Sequence, residues 1–281
     1  MTDRRLILLT LAALAAFAAN SILCRLALGH ELIDPMSYTV IRLVSGSMML
    51  ALLARAWHGS WRAGLMLFLY AAPFSLAYVE LTAGTGALIA FSAVQFTMIA
   101  ASIVGGRHPV RGEWAGMLLA MIGLYVLVKP GLAAPSLVGA LLMATAGVGW
   151  GFYSLIGRGS KDPLRDTAGN FARAALLSII LGMAARSLPG ASSHWTTAGI
   201  TLAVASGAIT SALGYVLWYA ALRHLAATRA ALVQTSVPAL SALGGILLLG
   251  EPVAPRLLIA SLLILGGIVL AIWSEARKEL Y

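Results

Sequence analysis

Acidic side chains are scarce in this sequence. Only ten of its 281 residues are Asp or Glu, and charged residues of every kind make up 10%. A soluble globular chain is about a quarter charged. With 60% of the residues hydrophobic, too little polar surface remains to cover a soluble domain, so a lipid-facing exterior is expected. Cysteine is nearly absent: Cys24 stands alone, which excludes an internal disulfide framework and a cysteine-built metal site. No cofactor or metal is expected. The histidines, His30, His58, His108, His194 and His224, fall near helix ends or loops. An aspartate-rich diphosphate site and a mid-span Ser-His pair are also missing, which argues against an integral-membrane enzyme. The net charge of +9 would suit a nucleic-acid binder if the basic residues clustered. They instead punctuate the apolar runs, as in a polytopic membrane protein, so no nucleic-acid partner is expected.

What is present is a series of ten apolar runs, at 5–28, 36–55, 64–81, 84–105, 112–129, 135–157, 167–187, 197–221, 227–249 and 256–274. A bilayer core needs about 20 such residues per helix. Period-2 alternation is missing, so the predicted fold is all-α and integral to the membrane, with ten transmembrane helices. The first run resembles a signal peptide up to Asn20, but it continues through Ile22, Leu23, Leu26 and Leu28 and is too long for a cleaved apolar core. An uncleaved helix is expected. With the N-terminus in the cytoplasm, thirteen basic residues sort to the inner side and four (Arg25, Lys129, Arg186 and Arg256) to the outer side. This asymmetry predicts both termini inside, at the inner membrane. Pro73 and Pro238 fall inside predicted spans and are expected to kink them at bending points.

The chain also repeats itself. Shifted by 131 positions, Arg42 falls on Arg173, Ser47 on Ser178 and Arg55 on Arg186; shifted by 143, Pro109 meets Pro252, Val110 meets Val253 and Gly123 meets Gly266. The predicted units are 1–131 and 132–281. Each holds five helices, an odd number, so the second must cross in the opposite sense. Inverted repeats are typical of secondary transporters, with a solute site near the midplane between the halves.

The segment SVPALSALGGILLLGEPV, Ser236–Val253, carries a proline in the ninth predicted span followed by a terminal Gly-Glu-Pro. In this, and in its five-plus-five arrangement, the chain resembles the EamA-like branch of the drug/metabolite transporter superfamily, and within it YddG-type amino-acid exporters. The first half departs, with Arg107 and His108 where the second has Gly250 and Glu251. The resemblance implies export of amino acids or other small metabolites from the cytoplasm by alternating access. A sugar-phosphate or other metabolite carrier of the same superfamily is the alternative.

The residues left inside the spans define the candidate site. No carboxylate lies mid-span, which favours a neutral or zwitterionic solute, such as an aromatic or other neutral amino acid, over a cationic one. The uncharged candidates for the solute cavity are Asn20, Ser21, Tyr78, Gln95, Trp150, Tyr153, Tyr215, Trp218 and Gln234. Gln95 and Gln234 need a partner on another helix, in water or in a solute. Trp150, flanked by Gly147, Gly149 and Gly151, has room beside its ring for a ligand or another backbone. Arg42 and Arg173 have two open readings: anchors to helix-end carbonyls, or cavity residues that attract a carboxylate. The expected partners are the bilayer and a small molecule, and a monomer is compatible with the sequence.

Overall fold

In a computed structural model, residues 3–106, 108–131, 134–187, 193–222, 224–225 and 233–278 are described. The order is α1 (Asp3–Gly29), α2 (Pro35–Ala54), α3 (Trp61–Ala77), α4 (Ala83–Val104), α5 (Arg111–Val128), α6 (Leu137–Gly157), α7 (Pro163–Arg186), α8 (Thr197–Val204), a π-helical segment (Ala205–Leu213), α9 (Gly214–Leu222), α10 (Ser236–Leu249) and α11 (Pro255–Lys278). Eight helical stretches among the described residues are long and apolar enough to cross a membrane, the run Thr197–Leu222 counting as one; Trp61–Ala77 and Ser236–Leu249 are shorter apolar helices. No strand forms among the described residues, which hold one isolated antiparallel bridge, Ile33 to Trp195.

Short polar residues start the helices. Asp34, Ser60, Thr82, Ser136, Asp162 and Thr196 each accept the backbone N–H three residues on, satisfying a donor the helix cannot pair itself. Pro35 and Pro163 occupy first-turn positions where a missing N–H costs nothing. The outward faces carry exposed leucines such as Leu52, Leu118, Leu137, Leu247 and Leu262, a surface suited to acyl chains.

Packing between the halves follows one scheme. α2 lies against α7, α4 against α10, and α5 against α11; α3 packs on α6, while α1 packs on the α8–π–α9 stretch. The loops follow it too. The α1–α2 loop is tied to the segment before α8 by Asp34 N to His194 O (2.8 Å) and Thr196 N to Leu32 O (2.8 Å). The α2–α3 loop is tied to α7 by His58 N to Arg165 O (3.1 Å) and Ser60 N to Asn170 Oδ1 (2.9 Å). One sequence expectation changes. Pro238 lies in the first turn of α10, not within a continuous span. Lacking an N–H, it cannot bond back to Gln234, so the helix is interrupted at Thr235. Residues 227–232 of the ninth predicted run lie outside the described residues. The π-helical segment was not foreseen; such segments insert a wide turn and concentrate at functional sites.

Candidate solute cavity

The interior is lined by rings. Trp150 of α6 stands between Tyr70 of α3 and Tyr215 of α9, each with its ring centroid 5.0 Å away, with Tyr153 at 5.5 Å and Phe17 of α1 at 6.4 Å. Beside them is a small central hollow of about 40 Å3 whose wall includes Asn20, Ser21, Phe74, Thr210, Ser211 and Gln234. It is room for about one water. Val94, Trp150, Tyr215 and Gln234 also line a larger vestibule of about 420 Å3, which reaches Arg158, Ser160 and Pro163 at the α6–α7 turn. That volume lies within the range of small-ligand pockets.

A polar cluster backs the hollow. Asn20 Oδ1 accepts hydrogen bonds from Ser206 (2.7 Å), Thr210 (3.2 Å) and Ser211 (3.4 Å), all in the π-helical segment, and Asn20 Nδ2 donates to the Tyr70 hydroxyl (3.3 Å). The wide turn is what puts three hydroxyls before one amide oxygen. Arg42 completes the cluster. It is 1% exposed and donates from Nε to Ser211 Oγ (3.3 Å) and from Nη2 to the Tyr70 hydroxyl (3.2 Å). Its guanidinium carbon lies 5.2 Å from the Tyr70 ring centre and 5.0 Å from that of Phe74. Gly207 lets α2 approach, since a Cβ there would run into the Arg42 carbonyl.

The end of the bundle opposite the vestibule is bridged by an ion pair. Arg25 Nε pairs with Glu251 Oε1 at 3.3 Å, and its Nη1 donates to the carbonyls of Tyr78 (3.0 Å) and Val79 (2.8 Å). Both Glu251 oxygens accept the Ala83 N–H at 3.0 Å. One carboxylate thus joins α1 to the start of α4 and the end of α10.

Comparison with known proteins fits this architecture. Residues 137–273 match the EamA-like transporter family. An uncharacterized protein of Pseudomonas aeruginosa is 50% identical over 280 residues, 96% of this chain and 95% of that one. The second half of this chain is thus similar to the EamA-like transporter family. The threonine/homoserine exporter RhtA of Escherichia coli is 32% identical over 195 residues, 66% of this chain and 63% of that protein. A solved crystal structure superposes with a TM-score of 0.64 at 22% identity, covering 92% of this chain and 97% of that one. With eight helices among the described residues long and apolar enough to cross a membrane, the chain has the architecture of a multi-pass membrane protein.

Of the residues singled out from the sequence, Asn20, Ser21, Trp150, Tyr215 and Gln234 meet at the central hollow. Gln95 and Trp218 line the vestibule. Tyr153 is buried beside both and lines a neighbouring polar pocket with Ser160, Asp166 and Asn170. Tyr78 does not reach the cavity. It caps α3 at the Arg25–Glu251 end, where its hydroxyl donates to the Ala83 carbonyl (3.3 Å) and its own carbonyl accepts from Arg25. The glycines around Trp150 do not hold open space for a ligand. A Cβ on Gly149 would strike the α3 backbone, and one on Gly147 or Gly151 would strike α4.

The paired arginines part company. Arg173 Nη1 donates to the carbonyls of His58 (2.7 Å) and Gly169 (2.8 Å), a loop-anchoring role. Arg42 reaches no carbonyl and sits inside the bundle. Tyr70, Ser206, Thr210 and Ser211 were not picked out as site residues by sequence reasoning. Part of the signal was there: Ser206 and Thr210 stand four apart, at helical spacing, while Ser211 joins their face through the wide turn.

Proposed function

We propose that this EamA-like protein exports small neutral or zwitterionic amino acids across the inner membrane by alternating access. Ten spans, in two inverted five-helix units at 1–131 and 132–281, would carry it, with both termini cytoplasmic. The observation that carries this reading is the vestibule: it runs from the α6–α7 turn to the ring-lined hollow and stops beneath the Arg25–Glu251 closure. On the orientation set by the basic residues, that is an inward-open cavity with a shut outer end. The pairing of α2 with α7, α4 with α10 and α5 with α11, and the exchange of α3–α6 for α1–α8, are what two inverted units would produce. With one half's loops tied at each end, exchanging the two conformations opens the other side.

The solute class is supported by the aromatic and amide lining, by the lack of a carboxylate among the residues walling the hollow, and by kinship with a threonine/homoserine exporter. The resemblance of the chain to YddG-type amino-acid exporters points the same way. A sugar-phosphate carrier would need several cations converging on the hollow; among the described residues Arg173 is spent on loop carbonyls and Arg158 lies out in the vestibule, which leaves Arg42 beside the hollow. The test is counterflow in proteoliposomes holding the purified chain, screened over labelled amino acids with and without a proton gradient. Saturable exchange of at least one neutral amino acid is expected. No flux for any of them defeats the substrate assignment.

A further inference from the structure

Among the described residues Arg42 is the one buried arginine, and its hydrogen bonding is incomplete. Its Nη1 is buried and has no hydrogen-bond partner. No carboxylate among the described residues pairs with it. Its two bonds go to neutral hydroxyls at 3.2 and 3.3 Å, longer than is usual for a charged donor. Elsewhere in the chain arginines find stronger acceptors. Arg25 has a carboxylate and two carbonyls, and Arg173 has two carbonyls at 2.7 and 2.8 Å. A guanidinium cannot shed its proton to escape burial, so the charge at Arg42 stays and lacks a counter-ion. Breaking or omitting one partner of a buried pair is destabilising, and such a group persists where something else completes it.

The groups that hold Arg42 are themselves cavity wall. Ser211, Tyr70 and Phe74 all line the hollow, and the guanidinium lies behind them by one side chain. Resting on the transporter reading above, we propose that Arg42 is the carboxylate anchor of the transported solute. The carboxylate enters from the vestibule, displaces the Tyr70 ring from over the guanidinium, and takes the free Nη1 together with the donors now spent on Tyr70 and Ser211. A planar guanidinium matches a carboxylate with two parallel bonds. Asn20 Oδ1, on the same wall, is an acceptor that an ammonium group would meet. Because Tyr70 bridges Arg42 and Asn20, a solute bound this way loosens α3 from α1 and α2, which couples recognition to the change of state. The anchor makes the chain selective for monocarboxylates over the corresponding amides and alcohols.

The experiment uses the full purified chain in proteoliposomes. It compares inhibition of counterflow by L-threonine, L-threoninamide and threoninol, and adds labelled lactate and 2-hydroxybutyrate as carboxylates without an amine. The wild type should favour each acid over its amide by at least tenfold. R42Q should level that ratio to about one, and R42K should restore part of it. R173Q should lower thermal stability and leave the ratio unchanged. Amide and acid taken up equally by the wild type would overturn the assignment, which holds the proposal to account even if R42Q fails to fold. An R42Q protein that still discriminates tenfold would overturn it too. Flux of the hydroxy acids without any amino acid would sink the amino-acid reading and keep this one. Flux only of solutes without a carboxylate, or of neither class, would overturn it.

Discussion

Arg25 and Glu251 stand 226 residues apart in the chain and 3.3 Å apart in the structure. Their side chains are 22% and 10% exposed, so the pair is only partly screened by solvent. Glu251 follows Gly250, whose positive φ of 66° ends α10 and turns the chain so that the carboxylate points back at α1 and α4. Replacing Glu251 with Gln keeps an acceptor for Ala83 but leaves Arg25 without its counter-charge. A hydrogen-bonded charge of this kind contributes about 2 kcal/mol, enough to shift a closed-to-open ratio more than tenfold. Cys24 is fully buried, so a cysteine placed at Ser21 on the cavity wall gives a clean reporter. In E251Q it should label with an impermeant maleimide from the outer side at least tenfold faster than in the unaltered background. Equal labelling rates would show that the pair does not close the outer end. The swap R25E/E251R should recover only part of the closure, since arginine cannot accept the Ala83 N–H.

Tyr70 offers a narrower test. Its hydroxyl accepts from both Arg42 and Asn20, while its ring belongs to the Trp150 cluster. Y70F keeps the ring and deletes the acceptor, leaving a second guanidinium donor unsatisfied. The expected cost is about 2 kcal/mol, read as a lower unfolding midpoint in detergent. Counterflow should weaken as well, because Asn20 Nδ2 loses its tether. A Y70F protein as stable and as active as the parent would mean that the hydroxyl is replaceable by water.

The sequence conveyed the helices well and the site partly, and the reasons are physical. Apolar run length sets helix existence in a bilayer, so the long spans were readable, and caps such as Asp34, Ser60 and Thr196 marked their starts. Which arginine turns inward was not readable, because Arg42 and Arg173 occupy like positions in like helices. The difference arises from their neighbours: a free loop carbonyl at His58 for one, a ring pair and a π-helical hydroxyl for the other. The π-helical segment itself leaves no periodicity signal in nine residues. Tyr78 misled because it shares a helix face with Tyr70 and Phe74 and lies only 4.7 Å, ring to ring, from Phe74, yet falls one turn beyond the cavity.

Trp150 is part of the wall that the hollow and the vestibule share. Cutting it to alanine removes a ring in contact with four others and joins the two spaces. A loss of about 3 kcal/mol in stability is expected for such a truncation, with flux falling at least tenfold because solute is no longer held against Tyr70 and Tyr215. W150F, which keeps a ring at that place, should retain most of both. If W150A transports normally while unfolding earlier, the ring is packing only and the solute path runs elsewhere in the vestibule.

The α5–α11 contact allows a test with a built-in control three atoms of backbone away. A Cβ on Gly116 would lie 2.7 Å from Ala271 N and 2.9 Å from Ala271 Cβ, and would also meet the Gly267 carbonyl; a Cβ on Gly267 would lie 2.7 Å from Ala120 N. These obstacles are backbone atoms, which cannot rotate away. G116A and G267A should therefore each cost about 2 kcal/mol through overpacking, and less than the sum when combined, since both pry at the same gap. Gly266, next in sequence to Gly267, has nothing within 4 Å of its Cβ position. G266A should be neutral or slightly stabilising. Thermal unfolding of the three single variants in detergent distinguishes a close backbone contact from a mere tolerance of small residues. An equal loss at 266 and 267 would mean that helix flexibility rather than the α5–α11 approach requires these glycines.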